Sequence, residues 1–173
     1  MAGPVTDVHR GAARVQLADG GWITLRPIAP GDGLALARFH DALSDQSRYR
    51  RFLSPHPHLT EGELHDLTEL EHPDRVAEVA ELDGELIAVG RYARAGDTAE
   101  VAFTVADAHQ GRGIGTVLLS VLAACARSHG ITSFFADVLC ENHAMLRVFR
   151  DAGFELHSDV SAGVIHVVFD LGG

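Results

Sequence analysis

The chain has 173 residues, of which 46% are hydrophobic and 22% charged, a balance typical of a single domain (1–173) with a sizeable core. Its 24 acidic residues outnumber its 14 arginines, and no lysine occurs. The formal charge of −10 argues against nucleic acid as a partner. It would attract a cationic substrate such as an amine, and the alternative is that it only serves solubility. No apolar run approaches the ~18 residues of a membrane span and the start lacks a signal peptide's apolar stretch, so we expect a cytoplasmic protein without a membrane partner.

The first part of the chain predicts short strands on either side of a helical segment. In order, the predicted elements are a ragged terminus (1–14) or a short strand (Ala13 to Leu17), a strand (Trp22 to Pro27), a helix capped by Asp32, one helical turn and a loop over a binding cleft (44–57), a helix (61–70), and three strands (75–82, 85–94 and 98–106). The arginines of 44–57 are expected to be mostly exposed. A capping box at Thr60 begins the second helix, and Asp83 with Gly84 predicts a tight hairpin.

A change of hydrophobic period marks residues 101–122, which read VAFTVADAHQGRGIGTVLLSVL. Apolar residues alternate up to Val105, as in a strand, and recur with the period of a helix from Ile114 onward. The glycine-rich turn between them, 110–115, places unpaired backbone N–H groups where the helix dipole adds partial positive charge. Its glycines permit positive φ and remove Cβ atoms that would hold a ligand away. The turn therefore predicts a phosphate site, and a plain connection is the alternative.

The pattern in the last part of the chain predicts the end of the long helix, one further helix and three strands. In order, the elements are the end of the long helix at His129 and Gly130, a strand (Ile131 to Cys140), a helix (Asn142 to about Ala152), and two strands (Phe154 to His157 and Val164 to Leu171). The strand reached through the long helix should lie parallel to 98–106, with a right-handed crossover. The expected fold class is α/β (α+β), with a mixed, mostly antiparallel sheet of six to seven strands flanked by about four helices.

Two familiar phosphate loops do not fit the glycine turn. Thr116 stands where the dinucleotide fingerprint GxGxxG needs glycine, and a Walker loop needs a lysine. The pattern QxxGxG, from Gln110 to Gly115, resembles instead the pyrophosphate loop of the GNAT superfamily of N-acetyltransferases. ENHAMLRVFRDAGF, residues 141–154, resembles that superfamily's second signature, and the order βααβββαβαββ is similar to its fold. The stretches AEVAFTVAD and QGRGIG are very similar to the catalytic domains of bacterial Pat-type protein lysine acetyltransferases.

The resemblance implies an N-acetyltransferase that uses acetyl-CoA as a co-substrate. It places the pantetheine arm of acetyl-CoA along the splayed end of strand 98–106, bonded to main chain. The residues that it implies for donor binding follow this strand, the glycine turn and the start of the last helix: Phe103, Thr104, Val105, Gln110, Gly111, Arg112, Gly113, Ile114, Gly115, Thr116 and Asn142. Pat-type enzymes acetylate an active-site lysine of acyl-CoA synthetases, which makes a protein lysine the expected acceptor.

Acetyl transfer to an amine also requires a base, because an amine with a pKa near 10 is protonated at neutral pH. Glu100 precedes the apolar alternation on the donor strand, and the resemblance places the Pat-type catalytic glutamate at this position. Desolvation in a cleft is expected to raise its pKa toward the working pH. Without the resemblance, a solvated glutamate on a polar strand face would be the ordinary interpretation. Glu78 and Glu81, on a neighbouring strand, are the fallback bases.

The expected general acid is missing. Many GNAT members carry a tyrosine five residues before the phenylalanine of GF, and that position is Phe149 here. The thiolate is therefore expected to leave unassisted, which a thiol pKa near 8.5 allows, or with the help of a water. Cys140 is an alternative nucleophile for a covalent acetyl-enzyme, although no base partner is identifiable. We expect no disulfide between Cys140 and Cys125 in a reducing compartment.

No metal site is expected from the motifs in the chain. Eleven histidines occur, but HExxH and CxxC are absent, and His56 and His58 lie beside prolines in a loop. The leading function is acetyl transfer to a protein lysine, for example in an acyl-CoA synthetase. The alternatives are N-acetylation of a small amine and, in another class, a non-catalytic acyl-CoA sensor. The acceptor, the acyl length and the oligomeric state stay open.

Overall fold

Eight strands form one mixed sheet in the computed structural model, which describes residues 11–172. The strands are β1 (Ala13–Gln16), β2 (Trp22–Pro27), β3 (Arg75–Leu82), β4 (Glu85–Ala95), β5 (Thr98–Val105), β6 (Ser133–Leu139), β7 (Leu156–Ser161) and β8 (Val164–Asp170). Their order across the sheet is β1-β2-β3-β4-β5-β6-β8-β7. Only the β5–β6 pair is parallel, as the crossover through the long helix requires. The expected mixed α/β class is confirmed, with a sheet larger than the six to seven strands predicted.

Five α-helices cover the two faces of this sheet. They are α1 (Gly33–Ala42), α2 (Asp45–Phe52), α3 (Glu61–Thr68), α4 (Ile114–Ser128) and α5 (His143–Asp151). The predicted capping box forms, because Thr60 Oγ1 accepts from the N–H of Glu63 and the Glu63 carboxylate accepts from the N–H of Thr60. Within residues 11–172, no helix has the length and apolar character needed to cross a membrane.

Helix α2 is the one beyond the four that were expected, and it replaces the single turn and loop predicted for 44–57. Ser44 caps it by accepting a hydrogen bond from the N–H of Ser47 at 3.1 Å. Asp45 in its first turn and Arg50 and Arg51 in its last turn suit the helix dipole. The low apolar content of this segment hid the helix, since hydrophobic periodicity was the main signal for helices.

The terminal strands also differ from the expectation. The short strand at Ala13 is present, paired antiparallel with β2, so only residues 1–10 of the expected ragged terminus lie outside the described residues. β7 was expected at 154–157 but runs to Ser161 and is almost wholly exposed. Polar residues hid this extension, which the hairpin with β8 imposes through a turn at Ala162 and Gly163, both with positive φ.

The core lies in two layers because alternate residues of each strand face opposite sides of the sheet. On one side, α4 packs Leu118 and Leu122 against Phe134 and Phe169, which are all fully buried. On the other side, α1 and α3 cover a smaller cluster that includes Val79. Burying one such leucine contributes about 1.5–3 kcal/mol, so α4, with nine buried residues, is the main support of the fold.

β5 and β6 pair over only three positions. The partners run from Thr98 with Ser133 to Glu100 with Phe135, after which the two strands are no longer paired. Beyond Glu100, residues 101–105 of β5 keep β4 on one side and have no strand on the other. This open strand edge lies in the middle of the sheet rather than at its border.

Candidate functional site

A cavity of about 830 Å³ lies where β5 and β6 separate. Its walls come from the open strand edge of β5, the glycine turn, β6, and the helices α2, α4 and α5. The leading candidate base and all the residues expected for donor binding line it: Glu100, Phe103, Thr104, Val105, Gln110, Gly111, Arg112, Gly113, Ile114, Gly115, Thr116 and Asn142. The roles of these residues stay predictions, but the fold brings all of them to one place.

The glycine turn presents backbone N–H groups to this cavity. Gly111 and Gly113 have φ of 76° and 83°, the left-handed region that glycine tolerates without strain. Gly113 is the N-cap of α4, and a Cβ added to it would meet no atom within 4 Å. Among residues 11–172, no hydrogen-bond acceptor is found for the N–H groups of 111–116. Together with the helix dipole, these donors make a site for an anion such as a phosphate.

Two side chains of the turn hold it in place. The amide nitrogen Nε2 of Gln110 donates to the Val105 carbonyl at 3.1 Å and to Ser47 Oγ at 3.3 Å. Nε of Arg112 donates to Asp19 at 2.7 Å, and this hydrogen bond raises the pKa of Arg112. The side chains of Gln110 and Arg112 therefore brace the loop, which leaves their main chain for a ligand.

The far wall is built where α4 and α5 cross. A Cβ on Gly115 would lie 3.3 Å from Cγ2 of Val148, so glycine permits this close approach. Asn142 is the N-cap of α5, and its Oδ1 accepts from the N–H of Met145 at 3.3 Å. Asn142 is only 8% exposed, and its side chain fixes the start of α5 beside the cavity.

Glu100 lies at the last paired position of β5, where the cavity begins. Burial lowers the pKa of the Arg51 guanidinium, and the negative charge of Glu100 acts against this shift. The two side chains are thus close enough to interact across the cavity. Glu100 itself is exposed. The desolvation expected for its carboxylate is therefore not supplied by the protein alone, and bound substrates would have to exclude the water.

Neither fallback base lines the cavity. Glu81 accepts from Nη2 of Arg26 at 2.7 Å, and Arg26 also pairs with Asp32 at 2.7 Å. Glu78 is fully buried in β3, opposite Gly90 of β4. Burial raises the pKa of Glu78 to about 7. Neither Glu78 nor Glu81 is therefore placed beside a substrate bound in this cavity.

The raised pKa of Glu78 predicts a pH-dependent stability. The folded protein holds this proton up to a pKa of about 7, against 4.5 in the unfolded chain, so it binds more protons between these values. The contribution of Glu78 to stability is therefore most favourable below pH 4.5, declines as the pH rises, and levels off above 7. In urea titrations, the free energy of unfolding of Glu78→Gln minus that of the wild type should rise by about 2–3 kcal/mol between pH 5 and pH 8. Glu85→Gln, at an exposed strand position, should show no such growth, and parallel curves for Glu78→Gln would contradict the prediction.

Phe149 and Cys140 have different surroundings. Phe149 lines the cavity and is 1% exposed, packed 5.0 Å from the ring of Phe169 and 6.3 Å from that of Phe103. It carries no hydroxyl group, so it supplies no proton to a leaving group. Cys140 is half-buried just after β6 and is not among the residues that line the cavity. This position gives no support to a covalent route through Cys140.

Residues 44–57 were expected to cover a binding cleft as one turn and a loop, and they line the cavity as a full helix, α2. Ser47, Arg50, Arg51 and Phe52 line it from this helix. α2 is held beside β5 by Asp107, whose carboxylate accepts from the hydroxyl of Ser44 at 2.7 Å and from that of Ser47 at 2.8 Å. These hydrogen bonds join residues far apart in the chain. No local pattern in 44–57 predicts them.

Comparison with known proteins finds a family match, related sequences and similar folds. The model of the Acetyltransferase (GNAT) family matches residues 37–154. Acetyltransferase Pat of Mycolicibacterium smegmatis is 38% identical over 144 residues, which cover 80% of this chain and 43% of that protein. The crystal structure of the GNAT domain of S. lividans PAT is 43% identical, with a TM-score of 0.87 over 92% of this chain and 96% of that one. The structure of yncA from Salmonella typhimurium with its cofactor acetyl-CoA is 22% identical, with a TM-score of 0.71 over 87% of this chain and 94% of that one. The chain thus spans less than half the length of the Pat relative.

Proposed function

The chain belongs to the GNAT family of acetyltransferases. From that membership we propose that it transfers the acetyl group of acetyl-CoA directly to the side-chain amine of a protein lysine. We propose Glu100 as the general base. The observation that carries the proposal is the cavity in which a carboxylate, an open strand edge and a run of unpartnered N–H groups meet. The likeness to Pat and to the S. lividans PAT domain supports a protein acceptor.

The donor fits the cavity by its chemistry. A pyrophosphate carries negative charge, which the N–H groups of 111–116 and the start of α4 would stabilise. The pantetheine arm has two amides, and an open strand edge offers the complementary main-chain groups from Val101 to Val105. The structure of yncA with acetyl-CoA supports this co-substrate for the same fold. Because main chain makes these contacts, the side chains of β5 remain available for packing.

The transfer itself needs one proton to be removed. The neutral amine attacks the thioester carbonyl, a C–N bond forms, the C–S bond breaks, and CoA leaves as a thiolate. Glu100, at the mouth of the strand gap, takes the proton of the amine, directly or through a water. Phe149 gives no proton to the sulfur, and a thiol pKa near 8.5 makes the thiolate a tolerable leaving group at neutral pH. A small amine could follow the same steps and is the alternative acceptor.

The decisive experiment follows the label of radioactive acetyl-CoA in two parallel incubations, one with cell-extract proteins and one with a panel of small amines. We expect label in extract proteins, stable to hydroxylamine and absent when their lysines have been blocked beforehand. The control is the same incubation with Glu100→Gln. Label that appears only in small amines would replace the lysine proposal by the small-amine alternative, and no label in either would contradict both.

The absence of lysine from the chain gives a further prediction about the enzyme's own modification. The only stable acceptor on a chain without lysine is its terminal amine, since an acetyl group on sulfur is a labile thioester. Intact-mass measurement after long incubation with acetyl-CoA should therefore show at most one hydroxylamine-resistant acetyl group. Several resistant groups would reveal acceptor chemistry on other side chains. A matched variant with one exposed arginine replaced, Arg147→Lys, should gain one further group if the cavity accepts its own lysine.

A further inference from the structure

Three side chains that can bind a metal, two histidines and one cysteine, meet at the end of α4 that is remote from the cavity. Cys125 and His129 are one helical turn apart, at the last turn and C-cap of α4, and His72 lies in the loop before β3. One potential ligand atom from each of the three lies within 4.8 Å of the others. Thiolate and imidazole are the ligands that Zn²⁺ prefers in proteins. We propose that His72, Cys125 and His129 form a binding site for a divalent transition metal, with Zn²⁺ as the best match.

The distances suit a tetrahedral ion after a small adjustment. Zn–S and Zn–N bonds of about 2.3 and 2.0–2.1 Å place ligand atoms about 3.3–3.6 Å apart. The three ligand atoms lie within 4.8 Å of one another, and the rings of His72 and His129 have their centroids 5.0 Å apart. A shift of about 1 Å therefore closes the set around an ion, with a water in the fourth position. His72 is exposed, so the ion enters past this side chain.

The surroundings of the site orient His129 and hold the His72 loop close to Cys125. Nδ1 of His129 lies 2.9 Å from the carbonyl oxygen of Cys125, so the tautomer protonated at Nδ1 donates there and leaves Nε2 for the ion. A ring N–H bound to a carbonyl is the usual support of a zinc-binding histidine. The hydroxyl of Tyr92 donates to the carbonyl of Pro73 at 3.1 Å and lies 3.4 Å from Sγ of Cys125, which holds the His72 loop against α4.

Charged groups lie close to the site. Arg94 and Asp74 lie 3.8 Å apart, so their charges offset each other. Nη1 of Arg94 also donates to the carbonyl of His129 at 3.0 Å, which holds the end of α4 in place. The site is buried on its inner side, at Cys125, and open to water on its outer side, at His72.

The consequence of metal binding is a cross-link between the His72 loop and α4. Cys125 is separated from Gly113 by about 18 Å of helix, at 1.5 Å per residue. The ion is thus too far from the acetyl-CoA loop to take part in the transfer chemistry. Its effect is expected on the stability of the fold, because an ion that binds only the native state raises the melting temperature.

Cobalt titration tests the proposal, because Co²⁺ bound to a thiolate gives a charge-transfer absorption in the near ultraviolet. The full chain, stripped of metal by a chelator and free of any histidine tag, should develop this band to one equivalent of Co²⁺ and lose it when Zn²⁺ is added. Zn²⁺ alone should raise Tm. The chain has two cysteines, which provides a matched pair of variants. Cys125→Ser should abolish the band, and Cys140→Ser should keep it.

The variant His72→Gln provides an independent test of the metal site, because an exposed loop residue can be changed without disturbing the core. It should weaken the apparent affinity for Co²⁺ by more than about tenfold. A band that disappears in Cys140→Ser, or an affinity unchanged in His72→Gln, would overturn the assignment. The absence of both the band and the Zn²⁺-dependent rise in Tm in the wild type would overturn it as well.

Discussion

Replacing Glu100 by glutamine is expected to lower turnover near pH 7 by about 10²- to 10⁴-fold, the usual contribution of general-base catalysis. Glutamine keeps the shape of the side chain and its hydrogen-bonding capacity, but it cannot take the proton of the amine. The affinity for acetyl-CoA should hardly change, because the donor contacts expected on β5 are made by main chain. Steady-state rates and acetyl-CoA titrations on the same preparation would separate these two effects.

The pH profile sharpens the test of Glu100. Without a base, the residual rate should climb about tenfold per pH unit as more of the acceptor amine becomes neutral unaided. Glu85→Gln is the matched control, since Glu85 is an exposed strand glutamate that does not line the cavity. A loss of acetyl-CoA binding that explains the whole rate effect would assign Glu100 to the donor site. Full activity with normal binding would direct attention to Asp137, another carboxylate that lines the cavity.

The second large effect is expected from Gly113→Val, which should abolish the rise in Tm that acetyl-CoA or CoA gives to the wild type. Gly113 has a φ of 83°, where a β-branched side chain is strained by about 1–3 kcal/mol or more. A Cβ added at Gly113 meets no atom within 4 Å, and we expect the valine methyl groups to take up the room in front of the N–H groups of 111–116. The stabilisation RT ln(1 + [L]/Kd) would then vanish with the binding.

A control variant must distinguish destabilisation by backbone strain at Gly113 from loss of acetyl-CoA binding. Gly130→Val provides the control, because Gly130 lies at the other end of the same helix with a φ of 77° and open space around its Cβ. Both variants should be destabilised in the absence of ligand, and only Gly130→Val should keep the ligand-induced shift. An unchanged shift in folded Gly113→Val would remove the glycine turn from donor binding.

The fold of the glycine turn was predictable because its determinants are local. The alternation up to Val105, the change of period at Ile114 and the glycines between them each report backbone geometry within a few residues. The parallel pairing of β5 and β6 followed from the crossover rule alone. Apart from Asn142 at the start of α5, the candidate donor residues came together in one cavity for the same reason, since they follow one another along a strand, a turn and a helix start.

The features that were missed depend on contacts between distant segments. α2 has few apolar residues, and its place beside β5 comes from hydrogen bonds of Ser44 and Ser47 to Asp107. β7 is polar and exists because β8 pairs with it. The exposure of Glu100 agrees with its place on the polar face of the strand, whereas the expected desolvation depends on what covers that face, which strand alternation does not indicate.

The open edge of β5 has a consequence for solubility. A free strand edge normally invites another chain to pair with it and so promotes aggregation. The outer edges of this sheet resist such pairing, because β1 has only four residues and β7 carries His157 and Asp159 on an exposed strand. The inner edge is enclosed between α2, α5 and the glycine turn. Its hydrogen-bonding groups are thus available to a slender extended ligand and closed to the broad edge of a second sheet, which lets the enzyme keep an unpaired strand without its usual hazard.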